Sequence, residues 1–336
     1  MLRRIYAVSV SPARTDKPSP AFIQTAAPDE LDPAPGLING IDSPHASIPP
    51  WFLYDQIGSR LFDVITVLPN YYPTRTEAEI VATNLRAMCG ARDVTGAALI
   101  DLGAASCAKA PPLFDAVRPA QYVPVDISVE FLRDAVTRLQ TEHPEIEMIG
   151  VGTDFSKELV LPAEVTATPR LFFYPGSSIG NYDPPEARGF LKRVREQMDD
   201  DATLWIGVDL VKDTETLERA YDDDLGVTAA FNRNILRNVN RVAGTDFRPA
   251  EWRHVALYNE DRHRIEMHLE ATRDLVVTWA AGQRPFAAGE RIHTESSYKF
   301  TLESFEAVLH DAGLDTVDAW TDPQRWFAMF VVAPST

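Results

Sequence analysis

The 336-residue chain has only two cysteines, Cys89 and Cys107, so no disulfide framework holds it and a reducing, cytoplasmic setting is expected. Basic residues are scarce as well: 32 Lys and Arg stand against 49 Asp and Glu, a formal net charge of −17. Such a surface repels phosphate backbones, which excludes nucleic acid as a partner and favours a small-molecule substrate. No apolar run approaches the roughly 20 residues of a membrane span, and Met1 to Val10 lacks the apolar stretch of a signal peptide. A soluble chain without membrane partners is therefore expected. The G-x-G-x-x-G that brings a pyrophosphate onto a helix is missing, which argues against a nicotinamide oxidoreductase. His254, His263, His268 and His293 form no recognised ligand spacing, so no metal is expected.

What is present is enough apolar residue, 45%, to bury a substantial core. The Pro-, Ser- and Ala-rich stretch from Ser11 to Pro50 has little periodicity, and its first part reads as a disordered tail over 1–36, with order expected near Trp51. Trp51 to Ile65 carries apolar side chains at helical spacing and stops at Leu68-Pro69. Strand-like runs then follow at Ala97–Leu102, Gln121–Asp126, Ile146–Val151, Arg170–Tyr174 and Thr203–Leu210, with helical patterns such as Val129–Leu139 and Pro185–Met198 between them. That alternation predicts an α/β fold with a parallel sheet covered on both faces. A helix-like stretch, Thr214–Asn240, and an alternating strand, Arg264–Glu270, read as an insertion over about Lys212–Glu290. The helix Leu302–Ala312 and strands Thr316–Trp320 and Trp326–Val332 would return to complete the sheet.

The strand ends carry the chemistry. Asp101-Leu102-Gly103-Ala104-Ala105 is a small-residue turn after a buried strand, where backbone N–H groups meet a ligand. Asp126 ends the second strand, where a carboxylate accepts from a ribose diol. Asp154-Phe155 follows the third, an acid and an aromatic suited to an adenine amino group and ring. Lys109, just after the turn, could pair with a methionine carboxylate or be a solvated lysine at a helix start. Cys107 reads as small packing.

Several motifs together resemble a known family. They are Trp51-Phe52-Leu53-Tyr54-Asp55, Leu68-Pro69-Asn70-Tyr71-Tyr72-Pro73-Thr74-Arg75, Tyr174-Pro175-Gly176-Ser177-Ser178-Ile179-Gly180-Asn181, Ala220-Tyr221-Asp222-Asp223, Phe231-Asn232-Arg233-Asn234, Arg264-Ile265-Glu266-Met267-His268-Leu269 and Thr294-Glu295-Ser296-Ser297-Tyr298-Lys299-Phe300. In this order and spacing, from about Pro49 to Ala333, they look like the histidine Nα-methyltransferases of ergothioneine biosynthesis. The resemblance implies a Rossmann-like class I methyltransferase sheet over 76–211 and 300–336, with a substrate-binding α+β domain over 37–75 and 212–299. It implies S-adenosylmethionine as methyl donor, S-adenosylhomocysteine as product, and L-histidine trimethylated to hercynine by a monomer. Gly103, Lys109, Asp126, Asp154 and Phe155 would bind the donor. Asn181 and Tyr221 would hold the substrate carboxylate, and Gly176 and Tyr54, the catalytic candidates, would lie near the amine. Tyr71, Glu295 and Ser297 would hold the imidazole, with Met267 on the pocket wall.

Plainer readings of the same residues stay open at this point. Met267 fits core packing, Tyr71 loop packing, Glu295 a surface acid and Asn181 a turn cap. The turn also departs from the family, which commonly has a second glycine and a Ser/Thr-rich continuation ending in Lys-Thr; here it runs Ala104-Ala105-Ser106-Cys107-Ala108-Lys109-Ala110. That departure bears on donor affinity. Two competing functions remain: the same chemistry on another aromatic amino acid, and a catalytically silent binding protein on the same fold.

Overall fold

The computed structural model describes residues 19–25, 34–127 and 129–335. In chain order its first half comprises β1 (Ala21–Gln24), α1 (Ala34–Asp42), α2 (Gln56–Ile65), α3 (Tyr72–Ala91), β2 (Ala98–Leu102), α4 (Phe114–Val117), β3 (Gln121–Asp126), α5 (Val129–Glu142), β4 (Glu147–Gly152), β5 (Arg170–Tyr174), α6 (Pro184–Glu196) and β6 (Thr203–Asp209). The second half adds α7 (Thr214–Tyr221), α8 (Val227–Ala243), β7 (Trp252–Asn259), β8 (Arg264–Ala271), β9 (Leu275–Trp279), β10 (Gly282–Phe286), β11 (Arg291–Tyr298), α9 (Leu302–His310), β12 (Leu314–Thr321) and β13 (Phe327–Pro334).

One sheet runs in the order β1-β4-β3-β2-β5-β6-β13-β12. Strands β1 to β6 pair in parallel, and β13 lies antiparallel to both β6 and β12. Strands β2, β5 and β6 are almost wholly buried apolar runs, as a parallel sheet covered on both faces requires. This is the expected Rossmann-like class I architecture. The chain moves outward from β2 to β4 and then returns to β5 on the other side of β2, so the topological switch lies between the carboxyl ends of β2 and β5. Ligands of doubly wound sheets bind there.

The insertion between β6 and α9 builds a second layer, the antiparallel sheet β11-β8-β7 with the β9–β10 hairpin beside it. In β8 the side chains of Ile265, Met267, Leu269 and Ala271 are buried while their neighbours are half-exposed, the alternation of a one-faced sheet. These residues share one buried cluster with Leu37, Leu53, Tyr71, Leu217, Tyr221 and Phe231. Segments far apart in sequence, before residue 73 and after residue 212, thus form one core.

Three sequence expectations change. The predicted tail over 1–36 contains β1, which pairs with β4, and the start of α1 at Ala34; residues 1–18 and 26–33 lie outside the described ones. Order accordingly begins before Trp51. The helical run from Trp51 is a 3₁₀ turn, Pro50–Leu53, followed by α2, because Asp55 stops the first and caps the second by accepting from Gly58 N–H at 2.7 Å. The Thr214–Asn240 stretch is two helices. Between them the Asp223 carboxylate accepts from the N–H groups of Leu225, Val227 and Thr228, which fixes the start of α8 and ends continuity with α7.

Candidate active site

At the switch point two turns face each other, one after β2 and one after β5. Gly103 adopts φ +72°, a conformation that side chains resist, and a Cβ placed there would lie 3.6 Å from Phe155 Cζ. The Asp126 carboxylate accepts from Ala105 N–H at 3.0 Å and Ile127 N–H at 2.8 Å, so it braces the first turn from the end of β3. Phe155 packs at a 6.3 Å centroid distance against Tyr174 and stays half-buried. Burial would raise the neighbouring Asp154 carboxyl, but Lys157 and Ser156 bind it and hold it below the usual range. Gly103, Asp126, Asp154 and Phe155 therefore cluster around the crevice. Cys107 is buried, and desolvation pushes its thiol up to about 12, so it is no nucleophile.

The departure in this turn has a physical cost. Ala105 and Cys107 sit at φ +45° and +55°, in the left-handed region where glycine is favoured. Ala105→Gly is expected to stabilise the protein by about 1 kcal/mol, read as a raised thermal midpoint. A lowered midpoint would contradict the strain.

On the β5 side, Gly176 adopts φ +81°, and a Cβ there would stand 2.9 Å from Lys109 Nζ. Its N–H donates to Glu77 Oε1 at 2.6 Å, and Glu77 Oε2 receives Lys109 Nζ at 2.6 Å. Glu77, buried on α3, thus ties the two turns together. Lys109, expected to face a methionine carboxylate, has this carboxylate as its partner in the structure. Asn181 closes the 3₁₀ turn Ser178–Asn181, which packs on β11 so tightly that a Cβ on Gly180 would lie 2.7 Å from Tyr298 O.

The inserted layer supplies the facing wall. Glu295, Ser297 and Lys299 stand at alternate positions along β11 and just beyond it, so they share a face. A bulge between His293 and Glu295 sets that register, with Met267 paired directly opposite Glu295. Glu295 is buried, its Oε2 has no hydrogen-bond partner, and burial raises its carboxyl to about 7 against the opposing pull of Lys299. The Tyr221 hydroxyl lies 2.8 Å from Ser297 Oγ. Tyr71 packs edge-on to Tyr221 at 6.1 Å, while Tyr54 packs on Phe62 and Phe231 at 5.6 and 5.5 Å. Burial and the nearby Glu295, Tyr71 and Tyr221 raise the Tyr54 hydroxyl, which keeps it a neutral phenol.

Tyr54, Tyr71, Tyr221, Met267, Glu295 and Ser297 therefore meet on one side, with Gly176 in the turn after β5 and Asn181 at the end of the 3₁₀ turn that follows it. Sequence reasoning missed Glu77, Lys299 and Asp209. Asp209 ends β6 and pairs with Lys299 at 2.7 Å and Lys212 at 2.6 Å. A strand-end acid was the available signal for Asp209, as it was for Asp126. Among the described residues no group of three or more metal-ligating side chains is assembled, and no helix is long and apolar enough to cross a membrane.

A family model described as histidine-specific methyltransferase, SAM-dependent, matches residues 34–334. The histidine N-alpha-methyltransferase of Mycolicibacterium smegmatis is 42% identical over 86% of this chain and 91% of that protein. Its namesake from Mycobacterium tuberculosis is 38% identical over 88% of this chain and 93% of that protein. Among solved structures, the CcbJ methyltransferase from Streptomyces caelestis aligns with 76% of this chain and 95% of that one, at 14% identity and a TM-score of 0.46. The chain belongs to the histidine-specific, S-adenosylmethionine-dependent methyltransferase family.

Proposed function

We propose that the protein methylates the α-amino group of L-histidine with S-adenosylmethionine and carries the reaction to the trimethylated product, hercynine, as in ergothioneine biosynthesis. Two relatives are named histidine N-alpha-methyltransferase, and the observation that supports histidine here is the buried, unpartnered Glu295 Oε2 beside Ser297. A buried acceptor without a partner is costly unless a ligand N–H completes it, and an imidazole has one to offer. An indole or phenyl ring leaves Ser297 or both groups unmatched.

The crevice fits the methyl donor. Gly103 leaves its backbone open toward Phe155, and the strand-end carboxylates Asp126 and Asp154 supply acceptors for a ribose diol and an adenine amine. Lys109 would meet the methionine carboxylate while anchored on Glu77. The bound donor supplies an electrophilic methyl on a sulfonium. In this reading segments 37–75 and 212–299 form the substrate-binding domain and 76–211 with 300–336 the donor domain.

The residues act mainly by position. A peptide-type amine has a pKa of about 8 and that of a free amino acid lies higher, so the α-ammonium must lose a proton before it attacks. Tyr54, a neutral phenol, orients the amine and passes its proton outward, while Asn181 and Tyr221 hold the carboxylate and Gly176 leaves room at the reacting end. In-line alignment of this kind contributes about 7–11 kcal/mol in well-oriented reactions.

Titration calorimetry with S-adenosylhomocysteine and then histidine tests the reading: histidine should bind the loaded protein, and phenylalanine and tryptophan should not. Equal binding of all three would contradict it. Asp126→Ala should cost about 1.5–3 kcal/mol of adenosylhomocysteine binding through its lost ribose acceptor; unchanged affinity would remove Asp126 from the site.

Glu295 also predicts a pH effect on the ligand-free protein. Its folded value, about 7, lies above the unfolded one, so the native state holds the extra proton between about pH 4.5 and 7. Its contribution to stability is full below that window and is lost as pH rises through it. Glu295→Gln should flatten the slope there by about 3 kcal/mol over the window, measured by denaturant unfolding at several pH values. An unchanged slope would show that the carboxyl is not buried as described.

A further inference from the structure

Behind the substrate wall lies a buried ionic group centred on Lys299 and Asp209. Lys299 has a fully buried side chain and spends its ammonium on Asp209 Oδ2 at 2.7 Å, Ser297 Oγ at 2.9 Å and the Tyr221 hydroxyl at 3.0 Å. Its ammonium also stands 4.8 Å from the centre of the Tyr221 ring. Asp209 is not its partner alone: the other oxygen takes Lys212, also buried, and both oxygens receive the Tyr72 hydroxyl at 2.8 Å. Asp322, whose charge also acts on Lys212, is turned to the backbone N–H groups of Gln324, Trp326 and Phe327. Glu295 shares the strand face with Lys299, and its Oε2 makes no hydrogen bond to the protein.

Lys299 is thus a cation in the interior that shares one carboxylate with a second lysine and otherwise rests on two neutral hydroxyls. Such a charge is expensive to bury unless an anion completes its surroundings. The hydroxyls also acquire direction. Tyr221 accepts from Lys299, and when Ser297 Oγ, 2.8 Å away, also donates to it, the Tyr221 O–H points outward as a strengthened donor.

We propose that Lys299 is a positioning residue for the substrate carboxylate, its charge reaching that group through the Tyr221 hydroxyl, which accepts from Lys299 and donates outward. Arg264, a neighbouring alternative, already has Glu266 and Asp183 as partners. The inference rests on the reading that Tyr221 faces the α-carboxylate of an amino acid. It deepens that reading by requiring an anionic carboxylate, where a merely polar group would otherwise suffice.

The test compares L-histidine with histamine, which keeps the ring and amine and lacks the carboxylate. Both are titrated calorimetrically into the full chain loaded with S-adenosylhomocysteine. The wild type should prefer histidine by about 100-fold or more, and Lys299→Met should shrink that ratio about tenfold or more while histamine binding changes little, as expected for a charge-assisted bond. A purely structural lysine would weaken both ligands alike and leave the ratio intact, which would overturn the proposal. Tyr221→Phe keeps the Asp209 partner of Lys299 and removes the hydroxyl that meets the carboxylate, so it should shrink the ratio as well. An unchanged ratio in that variant overturns the proposal even where Lys299→Met does not fold. A wild type that binds both ligands equally rejects the inference and leaves histidine as substrate; one that binds neither rejects the substrate reading, and the inference with it.

Discussion

Glu295→Leu combined with Met267→Ala is expected to lower kcat/KM for histidine by about 100- to 1,000-fold and to relax the preference toward larger aromatic amino acids. The two residues face each other across β8 and β11, so the double change removes the acceptor and opens the wall at one spot. Loss of the acceptor leaves a ring N–H buried without a partner, and sites built on hydrogen bonds discriminate far more strongly through such losses than through a missing methylene. The smaller residue at 267 makes room for a six-membered or indole ring. Mass spectrometry of the products from histidine, phenylalanine and tryptophan reads the ranking. A double variant that keeps the wild-type order would show that Glu295 does not set specificity.

Glu77→Ala is expected to cost about 2–3 kcal/mol of stability and to lower kcat about 100-fold. Its carboxylate holds the Gly176 N–H and the Lys109 ammonium at 2.6 Å each, and it fills the space over Gly207, where a Cβ would lie 2.4 Å from Oε1. The stability cost stays below that of a fully buried ion pair because Lys109 is 38% exposed. The activity cost is larger because both turns of the crevice lose their common anchor, and misplacement by about 1 Å costs about 100-fold. Calorimetric unfolding and histidine turnover measure the two effects. Wild-type turnover would show that the turns hold their geometry without Glu77.

The parts legible in the sequence were those with local signals. Buried strand patterns put Asp126 at the end of β3 and Asp154 two residues past β4, on the edge where a parallel sheet aligns its carboxyl ends. The alternation Ile265, Met267, Leu269 was visible, and the structure makes Met267 both a core residue and the partner of Glu295. The parts that were not legible depend on distant partners. Glu77 reads as one of several polar residues on a helix, and its place comes from partners far along the chain: the gap at Gly207, the Gly176 N–H and Lys109. β1 is a four-residue edge strand in a proline-rich stretch, specified by its pairing with β4 and not by its own pattern. The break between α7 and α8 had a signal in Asp222-Asp223-Asp224 and Gly226, which continuous helical spacing on both sides concealed. Lys299 lay inside a motif that carried the family resemblance, but its burial behind Tyr221 and Ser297 follows from the fold alone.

The central claim is that this wall and crevice methylate histidine at its α-amino nitrogen. Incubation of the purified chain with S-adenosylmethionine and an equimolar mixture of histidine, phenylalanine and tryptophan, followed by mass spectrometry with fragmentation, tests it most directly. Methyl groups are expected on the α-nitrogen of histidine, accumulating to the trimethylated form, with the other two amino acids unchanged. Methylation of the imidazole ring, or of phenylalanine or tryptophan in preference to histidine, would contradict it.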